Sequence, residues 1–247
     1  MGPRLNYGDT TLIRAVVFDF GQTLVDSADG FRLAEKAAQR KLFKHLRLDS
    51  WDSFLDYYRL ERKRFKAESD FSRRSLWRAV IAGTSGAPCE ESLLMQWEAE
   101  YWQTVHDATR LFPETQRVLH KLRYRYRLGI ITNTQGDTIS GTHRMTEFPE
   151  LAGLFESVVI AGEAGIPAKP DPRPFLMCLE ELKLRRDEIL YVGDDWDIDI
   201  VGASNAGIKA VWLKHRAVRR NWPDVTPNVP VIDNLDALCA PGILESG

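Results

Sequence analysis

The sequence predicts an α/β fold: a parallel sheet with helices on both faces and a helical insertion after the first strand. Three observations predict it. Short apolar, β-branched runs recur along the chain. Helical patterns separate the later runs. Between the first run and the second lie about a hundred residues with no convincing strand. Runs that are apolar throughout read as strands covered on both faces. Strands that alternate with helices across short connections pair in parallel. A chain of 247 residues is long enough for one large domain, or for a core with a smaller insertion.

The first strand is LIRAVVF (12–18), which stops at Asp19 and runs into a turn. The insertion reads as four helices, at 31–48, 51–67, 73–82 and 90–106. The last carries Leu94, Trp97, Tyr101 and Val105 at spacings of three and four, an apolar stripe that packs a small bundle. GTSGAPC (83–89) is its one clear break. Residues 32–78 are basic, with fourteen Lys and Arg against seven Asp and Glu. RLERKRFK (59–66) reads first as a solvated helix face; attraction of an anionic substrate or partner is the alternative. After the insertion come a helix at 113–126, LGIIT (128–132), SVVIA (157–161), a helix at 174–184, EILYVG (188–193), a helix from Asp199 to Asn205, IKAVWL (208–213) and a sixth run, VPVI (229–232). The expected division is a core of residues 1–24 and 109–247 with a helical unit of residues 25–108.

Composition excludes several function classes. A net charge of −2 gives no global reason to expect nucleic acid as a partner. No apolar run approaches the roughly 20 residues of a membrane span, so no membrane partner is expected. The opening MGPRLNYGDT is polar and lacks the apolar centre of a signal peptide. Cys89, Cys178 and Cys239 stand far apart and form no CxxC pair. The expectation is a cytoplasmic protein with incidental thiols. Oligomeric state leaves no mark in the sequence.

The acids carry the chemistry. Asp19 ends the first strand, and YVGDDWDID (191–199) ends the fourth with Asp194, Asp195, Asp197 and Asp199. In a parallel sheet all strand C-termini share one edge, where ligands bind. Asp19 and Asp194 then face each other, and facing carboxylates repel unless one is protonated or a cation lies between them. An oxygen-only set suits a hard cation, and Mg²⁺ is the expected one. Asp195 and Asp197 read more simply as caps of the following helix. A metal-facing Asp can also be a nucleophile. If its electrophile is a phosphoryl group, hydroxyl, amide and cation donors must hold the phosphoryl oxygens. Thr132 and Asn133 end the second strand and can supply the first two. Lys169, in AKPDPRPF, can supply the third from a proline-pinned loop.

Taken in order, these segments resemble the haloacid dehalogenase superfamily of hydrolases over nearly the whole chain. VVFDFGQTLVDS resembles its first motif, IITNT its second, AGEAGIPAKPDPRPF its third and YVGDDWDIDIVGASNAG its fourth. The resemblance implies a Rossmann-like catalytic core with an inserted α-helical cap of the C1 type, in the phosphoglycolate-phosphatase-like subgroup. It implies that Asp19 is the nucleophile, with Thr23 after the turn. Thr132 and Lys169 would bind the phosphoryl group, with Asn133 and the backbone at Phe20 and Gly21. Asp194 and Asp199 would serve the Mg²⁺ together with Asp19 and the Gly21 carbonyl. Specificity would lie on the cap, where Arg73, Arg74, Trp77 and Arg78 are candidates.

Three departures from the pattern matter. Phosphatases of this superfamily usually carry a second Asp, the proton donor to the leaving group, where this chain has Gly21. Gln22 stands where the turn usually has Gly. The loop before Lys169 is one residue longer than the commonest pattern. Losing the proton donor costs ~10²–10⁴ in rate for a poor leaving group and little for a good one. The favoured expectation is a Mg²⁺-dependent phosphatase of small phosphorylated metabolites, acting through an aspartyl-phosphate. Two alternatives stay open: a phosphoryl-binding regulatory protein with little turnover, and a phosphonatase-like or dehalogenase-like hydrolase. A phosphonatase would use a cap lysine, for which Lys36, Lys41, Lys44, Lys63 and Lys66 are available.

Overall fold

A computed structural model describes residues 12–68, 70–85, 89–134 and 144–244. The polar lead at residues 1–10 and part of the 83–89 break lie outside the described residues. Strand β1 (Ala15–Phe18) leads to a two-residue strand β2 (Val25–Asp26). Four helices follow: α1 (Ala28–Leu46), α2 (Trp51–Ala67), α3 (Arg73–Ser85) and α4 (Glu91–Ala108). The chain returns through β3 (Arg110–Leu111), which pairs antiparallel with β2. It then runs α5 (Thr115–Leu122), β4 (Arg127–Asn133), β5 (Ser157–Ala161), α6 (Arg173–Leu182), β6 (Ile189–Gly193), α7 (Val201–Asn205), β7 (Lys209–Leu213) and β8 (Val231–Ile232). The sheet order is β5-β4-β1-β6-β7-β8, parallel at every pairing.

The α/β fold class is as expected, and alternation along β1 explains the layers. Val16 and Phe18 face one side, packing with Val118, Leu119 and Leu122 of α5. Ala15 and Val17 face the other, packing with Phe175, Cys178 and Leu182 of α6. All four β1 residues are buried, as a strand between two helical layers must be. Helices α1–α4 enclose a third apolar cluster, which includes Leu42, Tyr58, Trp77, Leu94 and Tyr101. Gly30 lets α1 and α4 meet closely: a Cβ there would lie 2.8 Å from the Val105 carbonyl oxygen.

The β2–β3 ribbon, where the helical insertion leaves and rejoins the core, was not expected. Two residues per strand make no period that a sequence can display. Some elements differ in extent from their patterns. The helix read at 113–126 spans Thr115–Leu122. The one read from Asp199 is a five-residue π turn, Trp196–Ile200, running into α7. Among the described residues, no helix is long and apolar enough to cross a membrane.

Candidate active site

Parallel pairing carries Asp19, Thr132, Asn133 and Asp194 to one sheet edge. Phe18 stands in register with Ile130 of β4 and Val192 of β6, so the residues just beyond emerge together. The Asp19 amide donates to the Val192 carbonyl (2.9 Å), fixing the turn to the strand beside it. Asp19, Asp194 and Asp199 are all buried, and each offers an oxygen within 4.8 Å of the others.

Lys169 lies under this group, 1% exposed. Its Nζ donates to Asp19 Oδ1 (2.8 Å), Asp199 Oδ1 (2.7 Å) and the Tyr191 hydroxyl (2.8 Å). All three ammonium protons are thus used, and the longer loop does not keep Lys169 from the site. Asn133 positions it: Lys169 N donates to Asn133 Oδ1 (2.8 Å), and Asn133 Nδ2 donates to the Lys169 carbonyl (3.1 Å). The Asn133 side chain, expected at the phosphoryl group, is therefore engaged by the lysine loop.

Asp199 is tied on both oxygens. Tyr191 donates to Oδ1 (3.0 Å) and the Asp195 amide to Oδ2 (3.0 Å). Gly193 makes this possible, since a Cβ there would lie 2.5 Å from the Asp199 Cγ. Asp195 is a helix cap as expected: its Oδ1 accepts from Asp197 N and Ile198 N (3.1 Å each).

Burial dominates the electrostatics. It pushes the Asp19 carboxyl up to about 6; Lys169 opposes this and Asp199 adds to it. Asp194 is raised well above the usual carboxylate range by burial, then by Asp199 and Asp19. Lys169 is held above its ordinary value by Asp19 and Asp199, which outweigh its burial. Among the described side chains these three acids share two paired cations, Lys169 and Arg220. A hard cation between Asp19 and Asp194 would offset the remaining negative charge, so the donor set fits one.

The turn after Asp19 accounts for one sequence oddity, Gln22. Gln22 has φ 62°, a left-handed conformation that favours Gly. With its amide oxygen toward α1, Gln22 accepts from Ala28 N (2.8 Å) and Ser27 N (3.1 Å), a cap that Ser27 does not provide. The Phe20 side chain turns into the core, while its amide donates to the Asp19 carboxylate. Gly21 and Thr132 line the cleft above.

The cleft holds about 390 Å³. Helical residues Phe31, Arg62 and Arg73, with Phe71 just before α3, form its other wall. Arg73 thus reaches the site, but the other cap candidates do not. Arg74 and Arg78 pair with Glu91, and Trp77 is buried, donating to the Tyr58 hydroxyl (3.3 Å). None of Lys36, Lys41, Lys44, Lys63 and Lys66 lines the cleft.

Sequence reasoning missed Tyr191 and Arg220, and it reached Arg62 only within RLERKRFK (59–66), whose alternative reading was attraction of an anion. Arg220, in the β7–β8 connection, pairs with the Asp194 carboxylate and lies 3.5 Å from Asp195 Oδ2. Its guanidinium sits 4.6 Å over the Trp222 ring. Trp212 holds the Asp194 carbonyl from below, donating through Nε1 (2.9 Å). The only signal for Tyr191 was its place on β6, three residues before Asp194; Arg220 had none.

The chain as a whole is similar to known proteins. A family described as haloacid dehalogenase-like hydrolase matches residues 13–207. A glyceraldehyde 3-phosphate phosphatase of Pyrococcus abyssi is 29% identical over 209 residues, 83% of this chain and 82% of its own. A phosphoglycolate phosphatase of Photorhabdus laumondii is 30% identical over 214 residues, 82% and 81% of the two chains. Among solved structures, a 2-haloacid dehalogenase from Pseudomonas syringae superposes with a TM-score of 0.63 at 26% identity. It covers 92% of this chain and 97% of its own.

Proposed function

The chain belongs to the haloacid dehalogenase-like hydrolases, and from that premise we propose that it is a Mg²⁺-dependent phosphatase of small phosphorylated metabolites. One observation carries the reading: three buried carboxylates, Asp19, Asp194 and Asp199, meet within 4.8 Å at a sheet edge over a buried lysine. The phosphatases among the relatives support it. A dehalogenase expels halide and needs no metal, whereas the buried set Asp19, Asp194 and Asp199 fits a hard cation. A phosphonatase needs a cap lysine at the cleft, and the wall there carries arginines.

In this reading Asp19 attacks phosphorus, the bond to the leaving oxygen breaks, and an aspartyl-phosphate forms. Water then attacks that phosphorus, releasing inorganic phosphate and restoring the carboxylate. Lys169 keeps Asp19 ionised and oriented, and it offsets the charge that builds on the phosphoryl oxygens. Thr132 and the amides at Phe20 and Gly21 would hold those oxygens, the Phe20 amide turning to them from the Asp19 carboxylate. Asp19, Asp194 and the Gly21 carbonyl would hold Mg²⁺, with Asp199 as a further ligand or, bonded as it is, their support. The ion would screen nucleophile from substrate and polarise the phosphoryl group. Residues 25–108 would act as the cap over a core of residues 1–24 and 109–247. Three free thiols fit a cytoplasmic setting.

Turnover of p-nitrophenyl phosphate, acetyl phosphate and sugar phosphates with Mg²⁺ tests the proposal. Activity on at least one, falling by about 10³ or more in Asp19→Asn, is the expected result. Turnover no greater than in that variant on every substrate would leave a phosphoryl-binding protein in its place.

A further inference from the structure

The cleft is polarised. Its floor carries the carboxylates Asp19, Asp194 and Asp199, and its helical wall carries the guanidiniums of Arg62 and Arg73 between Phe31 and Phe71. Behind that wall the countercharge is thin. Arg62 Nη1 lies 3.3 Å from Glu35 Oε1, and the same buried Glu35 accepts from the Tyr101 hydroxyl (3.4 Å). Arg73 rests over the Tyr101 ring at 5.2 Å. One carboxylate therefore serves two guanidiniums.

Arg73 hydrogen-bonds Tyr101, but that contact does not use all its donors. Its Nε is buried without a hydrogen-bond partner, and buried donors are seldom left so. It opens α3, whose first turn holds no acid, where the helix's positive pole disfavours a cation. Its neighbour Arg74 shows the structural alternative, pairing with Glu91 and with the buried Glu98. Arg73 instead faces the cleft, and it stays charged there, because Tyr101 and Glu35 outweigh the effect of its burial.

We propose that Arg62 and Arg73 form a second anion subsite at the helical end of the cleft. The substrate is then a small phosphorylated compound carrying another anionic group, a carboxylate or second phosphate, at the end away from the scissile phosphoryl group. This rests on the phosphatase reading and adds its substrate class. A cleft of about 390 Å³ is at the small end for ligand sites. It has room for a short molecule spanning floor to wall. Phe31 and Phe71 would pack the body of that molecule, and the two guanidiniums would take its far end in charge-assisted hydrogen bonds.

Matched substrate pairs test this: 2-phosphoglycolate against 2-hydroxyethyl phosphate, and 4-carboxyphenyl phosphate against its methyl ester. In the second pair the ester is the better leaving group, so a preference for the carboxylate cannot come from leaving-group chemistry. The anionic member should lead in kcat/KM by about tenfold or more, on the scale of a charge-assisted hydrogen bond. Arg73→Gln should erase most of that ratio, and Arg73→Lys should keep part of it. Arg62→Gln, at an exposed position, should reduce the ratio even if Arg73→Gln folds poorly. Turnover with no preference, or a ratio unchanged in both Gln variants, overturns the subsite and leaves the phosphatase standing. No turnover of any pair or of p-nitrophenyl phosphate overturns both.

Discussion

Gly21 sits two residues beyond Asp19, the proposed nucleophile, where the first-motif resemblance leads one to expect a second Asp as proton donor. Its backbone lies outside the left-handed region that Gln22 occupies, so an Asp can take its place without backbone strain. The loss of a donor matters most when the leaving group is a poor one. Gly21→Asp should therefore raise kcat on alkyl phosphates by roughly 10-fold or more, and on p-nitrophenyl phosphate by much less. Equal gains on both, in steady-state assays with Mg²⁺, would show that the leaving group does not limit the rate. Residue-scale reading of the sequence reached Asp19, Thr132, Lys169 and Asp194, because strand ends and motif order mark them. It did not reach Arg220, which lies in a connection without periodicity and meets Asp194 only through the fold.

Among the elements, the turn after β6 is the most constrained. Asp199 folds back over Gly193 to receive the Asp195 amide, Tyr191 and Lys169. A methyl at residue 193 would lie 2.5 Å from the Asp199 Cβ, against a side chain that three hydrogen-bonding groups hold in place. Gly193→Ala should cost roughly 1–3 kcal/mol in chemical denaturation, the scale of overpacking. It should also lower kcat/KM by more than tenfold, because Lys169 loses an anchor beside Asp19. A variant with wild-type stability and activity would mean that Asp199 is free to move. The helices of the insertion were legible from their apolar stripes. Which wall they turn to the cleft was not, since Arg62, Arg73, Arg74 and Arg78 look alike in sequence and separate only by their neighbours.

For the whole molecule, stability should depend jointly on pH and Mg²⁺. Folding raises Asp19 from 3.8 to about 6, so the folded state holds this proton more tightly than the unfolded one. Its contribution to metal-free stability is full below about pH 4 and is lost as pH rises through about 6. Asp194 shifts in the same direction. Mg²⁺ competes with these protons, so its stabilising effect should be small at pH 5 and grow until about pH 7. Thermal melts with Mg²⁺ and with chelator should show the gap in Tm widening over that interval. The widening should be reduced in Asp19→Asn. A gap independent of pH would place the ion away from Asp19.

By itself the sequence determined the α/β class, the helical insertion and the four segments that build the site. Those are local matters: burial imposes a period on each strand and helix, and chain order sets which strand ends share an edge. Only the tertiary structure decided which charges compensate which. It spent the Asn133 amide on Lys169, placed Arg220 on Asp194, and divided the insertion's arginines between an outer surface and the cleft. Such pairing depends on distance and burial between residues far apart in the chain, and spacing along one sequence carries neither.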